Sequence, residues 1–71
     1  MFWILWVFVG KLGEPWADVN WRYVEAYAEK AVCEAEADAM YERLMSDKFY
    51  AGRFHVATKC RPAGVDPNKD T

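Results

Sequence analysis

Residues 1–9 read Met1-Phe2-Trp3-Ile4-Leu5-Trp6-Val7-Phe8-Val9 and contain no charged or hydrophilic side chain. The run is rich in β-branched and aromatic residues, and Gly10 and Gly13 bound it, which favours a strand over residues 2–9. Alternation places Phe2, Ile4, Trp6 and Phe8 on one face and Trp3, Leu5, Val7 and Val9 on the other. Both sets are apolar, so the strand is expected to be central and covered twice. Gly10 to Pro15 reads as a turn. Trp16 to Tyr27 fits two periods. Period two sets Val19, Trp21 and Tyr23 opposite Asn20, Arg22 and Val24, whereas helical spacing pairs Tyr23 with Tyr27. Strand propensity dominates Val19 to Val24, and the composition turns helical near Ala26 to Ala28.

Glu29 to Met45 contains Ala, Glu, Lys, Arg, Met and Leu without Gly or Pro, which predicts a helix. Its apolar stripe is Cys33, Ala37, Met40 and Leu44, with Tyr41 on the flank. Glu34, Asp38 and Glu42 form an acidic row read as solvated and opposite that stripe. Acids early in the helix and Arg43 and Lys48 at its end suit the helix dipole. After a connection over Ser46 to Gly52, Phe54, Val56, Thr58 and Cys60 alternate with Arg53, His55, Ala57 and Lys59. That is a strand with one buried side and one wet or ligand-facing side.

The expected fold is therefore α+β in the order ββαβ: a three-stranded antiparallel-type sheet with one helix on one face. Residues 1–61 form the domain and residues 62–71 a flexible C-terminal tail. One helix covers one face, yet the first strand is apolar on both. The second face should meet a copy of the chain or another protein, because soluble monomers rarely expose apolar patches beyond a few hundred Å². The expected binding or dimer face comprises Trp3, Trp6, Phe8, Trp21, Arg53, His55 and Lys59. Trp, Tyr and Arg are the residues enriched in interface hot spots.

The chain has 71 residues, a net charge of −2 and 17% aromatic residues, which rules out a disordered polymer and binding driven by bulk positive charge. No run approaches the roughly 18 apolar residues of a spanning helix. No base precedes the opening run and no small-residue cleavage site follows it, unlike a secretory signal. Charge is segregated: residues 25–47 carry seven acids and two bases, and residues 48–61 carry four bases and no acid. A basic strand beside Trp-rich strands is compatible with single-stranded nucleic acid, but the acidic helix opposes that reading.

Catalytic chemistry finds no constellation. His55 is the only histidine, and no acid lies close in sequence to orient it. No phosphate-cradling glycine loop is present. Cys33, His55 and Cys60 lack metal-ligand spacing, and strand parity separates His55 from Cys60. No enzyme, metal or cofactor is therefore expected. Cys33 and Cys60 both point inward and could meet, either as a disulfide or as two buried thiols.

Four features carry a resemblance: the Trp3-Ile4-Leu5 strand, the aromatic-to-helix junction at Tyr27, Cys33 within Ala31-Val32-Cys33-Glu34-Ala35, and a second cysteine at Cys60. In these the chain resembles small proteins that recur in bacteriophage and prophage genomes. The resemblance implies a phage origin and the host cytoplasm, with virion and periplasm as alternatives. It implies no activity. Small accessory proteins of such genomes often bind host proteins, including defence and regulatory systems. The expected function is binding of a host protein or self-association as a homodimer, inhibitory where the target is a host component. A structural subunit of a phage assembly and a single-stranded nucleic-acid module are the alternatives.

Overall fold

The computed structural model describes residues 1–11 and 21–68. It contains β1 (Trp3–Lys11), β2 (Arg22–Tyr27), α1 (Lys30–Ser46) and β3 (Phe54–Pro62). The strands form one antiparallel sheet in the order β2-β1-β3, with a single helix among the described residues, so the fold is α+β and ββαβ. The most apolar strand is the central one, as its two-sided pattern requires.

β1 and β3 pair in regular register from Trp3 opposite Pro62 to Lys11 opposite Phe54. The β1–β2 register slips between Leu5 and Trp6, so Val24 is an extra residue in β2. This bulge changes the facing of β2 part-way along. Tyr27 and Val24 pack on the core, while Tyr23 meets Trp6 on the other face.

The helix covers the odd-numbered side of β1. Leu5, Cys33 and Ala37 are buried together, with Trp3, Val24, Tyr27, Met40 and Cys60 packed around them. Val56 is buried as well. α1 is fastened to β3 twice. Cys33 and Cys60 form a disulfide with their Cα atoms 6.1 Å apart, and the Thr58 hydroxyl donates to the Ala37 carbonyl at 3.0 Å. Both links follow from parity, because Thr58 and Cys60 lie on the inward face of β3.

Several sequence expectations need correction. β1 runs on through Gly10 and Lys11 rather than turning at Gly10. Gly10 is a packing glycine, because a Cβ there would overlap the Phe8 ring. Arg53 lies in the turn before β3, not within it, and Arg61 and Pro62 extend the strand beyond Cys60. The tail is tied down at its start: Ala63 N–H donates to Phe2 O at 2.8 Å and Val65 N–H to Pro62 O at 3.1 Å. The first turn of α1 holds no acid, because Glu29 is the N-cap residue and Lys30 begins the helix. Glu34 and Asp38 stand about 100° around the helix from Cys33 and Ala37, beside the core stripe rather than opposite it. The expected turn over residues 12–15, the readings of Trp16 to Asn20, and the tail over residues 69–71 lie outside the described residues.

The C-terminal end of α1 is closed by backbone and side-chain bonds. Asp47 N–H donates to Leu44 O at 3.2 Å, and an Asp47 carboxylate oxygen accepts from Phe49 N–H at 2.8 Å. Phe49, Tyr50 and Phe54 then form a separate aromatic cluster, with ring centroids 5.1 to 5.8 Å apart. The helix does not reach the far end of β1, where Val9 is 40% exposed.

Candidate binding surface

The even-numbered side of β1 presents Ile4, Trp6 and Phe8 away from the helix. No helix or strand among the described residues packs over it. β2 contributes Tyr23, and Trp21 immediately precedes that strand. β3 contributes His55, Ala57, Lys59 and Arg61, because these residues oppose Gly10, Phe8, Trp6 and Ile4 in register.

The rings are mutually ordered. Trp6 and Tyr23 meet edge to face, with centroids 6.3 Å apart and planes at 85°. Phe8 and Trp21 are tilted at 51° with centroids 5.9 Å apart. Trp21 extends across the central strand, because the Lys59 ammonium from the opposite edge strand lies 4.2 Å from its ring centroid. That distance is a strong cation–π geometry. The result is an aromatic sheet surface with a basic border. Tyr23 is 58% exposed, Phe2 at the strand entrance is also exposed, and Trp6, Phe8 and Trp21 are half-buried. The indole Nε1 of Trp6 is buried and has no acceptor among the described residues, which costs about 1–3 kcal/mol.

The structure brings Trp6, Phe8, Trp21, His55 and Lys59 to one side of the sheet. It separates Trp3, which packs on the core beneath the helix side with the Lys30 ammonium 5.3 Å from its ring centroid. The alternation of β1 requires this, since Trp3 and Trp6 differ by an odd number of residues. Arg53 is exposed in the turn and does not belong to the strand surface. Tyr23 is not among the expected site residues, although the period-two reading places it with Trp21. Arg61 lies one residue beyond the expected end of the strand and is also outside the expected site.

Other chemistry is sparse. Among the described residues no group of three His, Cys, Asp or Glu side chains could hold a metal ion. No helix there is long and apolar enough to cross a membrane. The Tyr27 phenol is raised above its ordinary value by burial, and then by the nearby Glu36 and Glu25 carboxylates. It lies on the helix side, away from the aromatic surface. Compared with family models, curated proteins and solved structures, the chain finds no match.

Proposed function

We propose that this chain is a non-enzymatic binding module whose contact surface is the aromatic sheet face, with a second copy of itself or a host protein as its partner. The observation that carries this reading is the set of ordered rings, Trp6–Tyr23 and Phe8–Trp21, on the sheet side opposite α1. Aromatic rings on a rigid strand lose little conformational freedom on binding and bury large areas. Tyr23 and Phe2 still expose more than half of their surface. Each fully buried large apolar side chain is worth roughly 1.5–3 kcal/mol, so covering these two and the half-buried rings supplies several kcal/mol. Lys59 and Arg61 on the border favour acidic groups at the partner's rim. A phage accessory protein acting on a host component in the host cytoplasm is the biological setting this reading adopts from the sequence resemblance.

Light scattering on the disulfide-bonded chain, paired with capture from bacterial lysate, tests the proposal. Both are run on the parent and on a Trp21→Ala/Tyr23→Ala variant with an unchanged circular dichroism spectrum. The expected result is a particle of twice the 8.3 kDa chain mass, or a discrete captured protein, seen with the parent and lost in the variant. A parent that stays monomeric and captures nothing the variant does not also capture refutes the reading.

A further inference from the structure

Every fourth residue of α1 from Cys33 onward is apolar: Cys33, Ala37, Tyr41 and Met45, followed by Phe49 in the turn after the helix. A row of that spacing moves around a helix by about 40° per step, because four residues at about 100° each overshoot one turn. The row therefore begins against the sheet and ends clear of it. Cys33 and Ala37 are 0% and 5% exposed, whereas Tyr41, Met45 and Phe49 are 42%, 36% and 56% exposed. We propose that the outer half of this row is a second docking surface, and that its occupant is a helix of another protein carrying an apolar row edged with Lys or Arg. The proposal stands independently of the aromatic surface, which lies on the opposite side of the sheet.

Single exposed apolar side chains are ordinary on a protein surface, but these follow one line. Tyr41 and Met45 stand four residues apart, the spacing of neighbours on a helix surface. The core does not use them, and takes Met40 from this part of the helix instead. Phe49 is held in place at the helix end. Its N–H donates to an Asp47 carboxylate oxygen at 2.8 Å, and its ring centroid lies 5.6 Å from that of Phe54 at the start of β3. A row at this spacing forms a ridge that fits between the ridges of a second helix. A helix laid along an exposed apolar line is also a recurring mode of recognition.

Charge selects the occupant. Asp38 stands three residues before Tyr41 and Glu42 three before Met45, so each acid borders an apolar side chain of the row. Both acids are exposed, and no ion pair engages either among the described residues. The bases are placed elsewhere. Arg43 stands about 160° around the helix from Tyr41. Lys48 lies beyond the helix end, and Lys30 pairs with Glu34 at 3.9 Å. Lys59 and Arg61 belong to a groove of about 330 Å³ between α1 and β3, which Glu34 and Asp38 also line. Those two cations are engaged by the Trp21 ring and the Cys60 carbonyl. Glu42 lies outside that groove. A helix with bases along the edge of its apolar row meets Asp38 and Glu42 favourably, and an acidic helix is repelled. An anionic lipid surface is repelled in the same way. A second copy of this chain brings the same acids, and its own row carries no matching bases.

The test uses three blocked peptides of about sixteen residues, long enough to form a helix. The first repeats Ala-Leu-Lys-Lys, which sets Leu at every fourth position with Lys beside it. The second has Glu in place of Lys. The third has the composition of the first, with its Leu spread around the helix. Each is titrated into the isotope-labelled, disulfide-bonded protein while backbone amide shifts are followed. The first peptide is expected to give saturable shifts between Asp38 and Phe49 and to bind at least about tenfold more tightly than either control. Glu42→Gln and Met45→Ala, exposed changes checked for an unchanged circular dichroism spectrum, are each expected to weaken it by about threefold or more. Tyr23→Ala on the aromatic surface is expected to leave it unaffected. Affinity for either control equal to that for the first peptide overturns the proposal, as does the absence of binding up to about 1 mM or a set of shifts centred on the aromatic surface. Concentration-dependent shifts between Asp38 and Phe49 in the protein alone would assign the row to a second copy. The same shifts on adding phosphatidylcholine vesicles without peptide would assign it to a lipid surface, and either result overturns the proposal.

Discussion

Reduction of the Cys33–Cys60 bond is the sharpest perturbation available. The bond ties α1 to β3 across 27 residues of chain. In the chain-entropy treatment, closing a loop of that length removes about 12 cal/mol/K from the unfolded ensemble, or roughly 3.5 kcal/mol at 25 °C. The folded state has little to set against that loss. Among the described residues only Leu5, Cys33, Ala37 and Val56 are buried, and a domain of this size sits near the lower end of the usual 5–15 kcal/mol. The Cys33→Ala/Cys60→Ala variant removes the bond with little new cavity, since Ala differs from Cys by one sulfur. Urea unfolding with and without a phosphine reductant, and of the double variant, reads the difference. A loss of roughly 3.5 kcal/mol corresponds to a fall in Tm of about 15–25 °C for a domain this small. A reduced protein that melts within about 3 °C of the oxidised one would show that the core alone holds α1 on the sheet, contrary to the size-based argument.

Leu5→Ala should cost about 3 kcal/mol, because Leu5 is 2% exposed at the centre of the cluster, and chemical denaturation will read it. Gly10→Ala should destabilise by about 1–2 kcal/mol by forcing the Phe8 ring off the backbone, with a matching change in the near-ultraviolet circular dichroism. Trp6→Phe should be neutral or stabilising, since it removes a buried indole donor that has no acceptor among the described residues, and a melting temperature lowered by more than about 5 °C would contradict this. Tyr27 contributes to alkaline unfolding with a defined sign. Its folded pKa is raised, so the unfolded chain loses the proton first and stability falls as pH rises through and beyond the ordinary phenol value. Tyr27→Phe should flatten that part of a stability–pH curve measured above about pH 10.

Much of the architecture is carried by local pattern. The clean alternation from Phe54 to Cys60 sets the inward face of β3, and it alone puts Thr58 and Cys60 where the helix can reach them. The uninterrupted apolar run through Val9 marks β1 as the strand with neighbours on both sides. The composition from Lys30 to Met45 makes a helix whose Cys33–Ala37 stripe is its only buried face. These features depend on residues near one another in the chain, where the 2.0 and 3.6 periodicities act directly. The sequence could not say which side of β1 the helix takes, because Trp3, Leu5, Val7 and Val9 are as apolar as Phe2, Ile4, Trp6 and Phe8. The tertiary fold decides it through Cys33 and Ala37 against Leu5, which sends Trp3 to the core and leaves Trp6 and Phe8 on the opposite surface. The bulge at Val24, the reach of Trp21 across β1 to Lys59, and the placing of Glu34 and Asp38 along the β3 groove likewise depend on residues distant in the chain. Periodicity assigns each residue a face within its own element, and only packing between elements decides what that face meets.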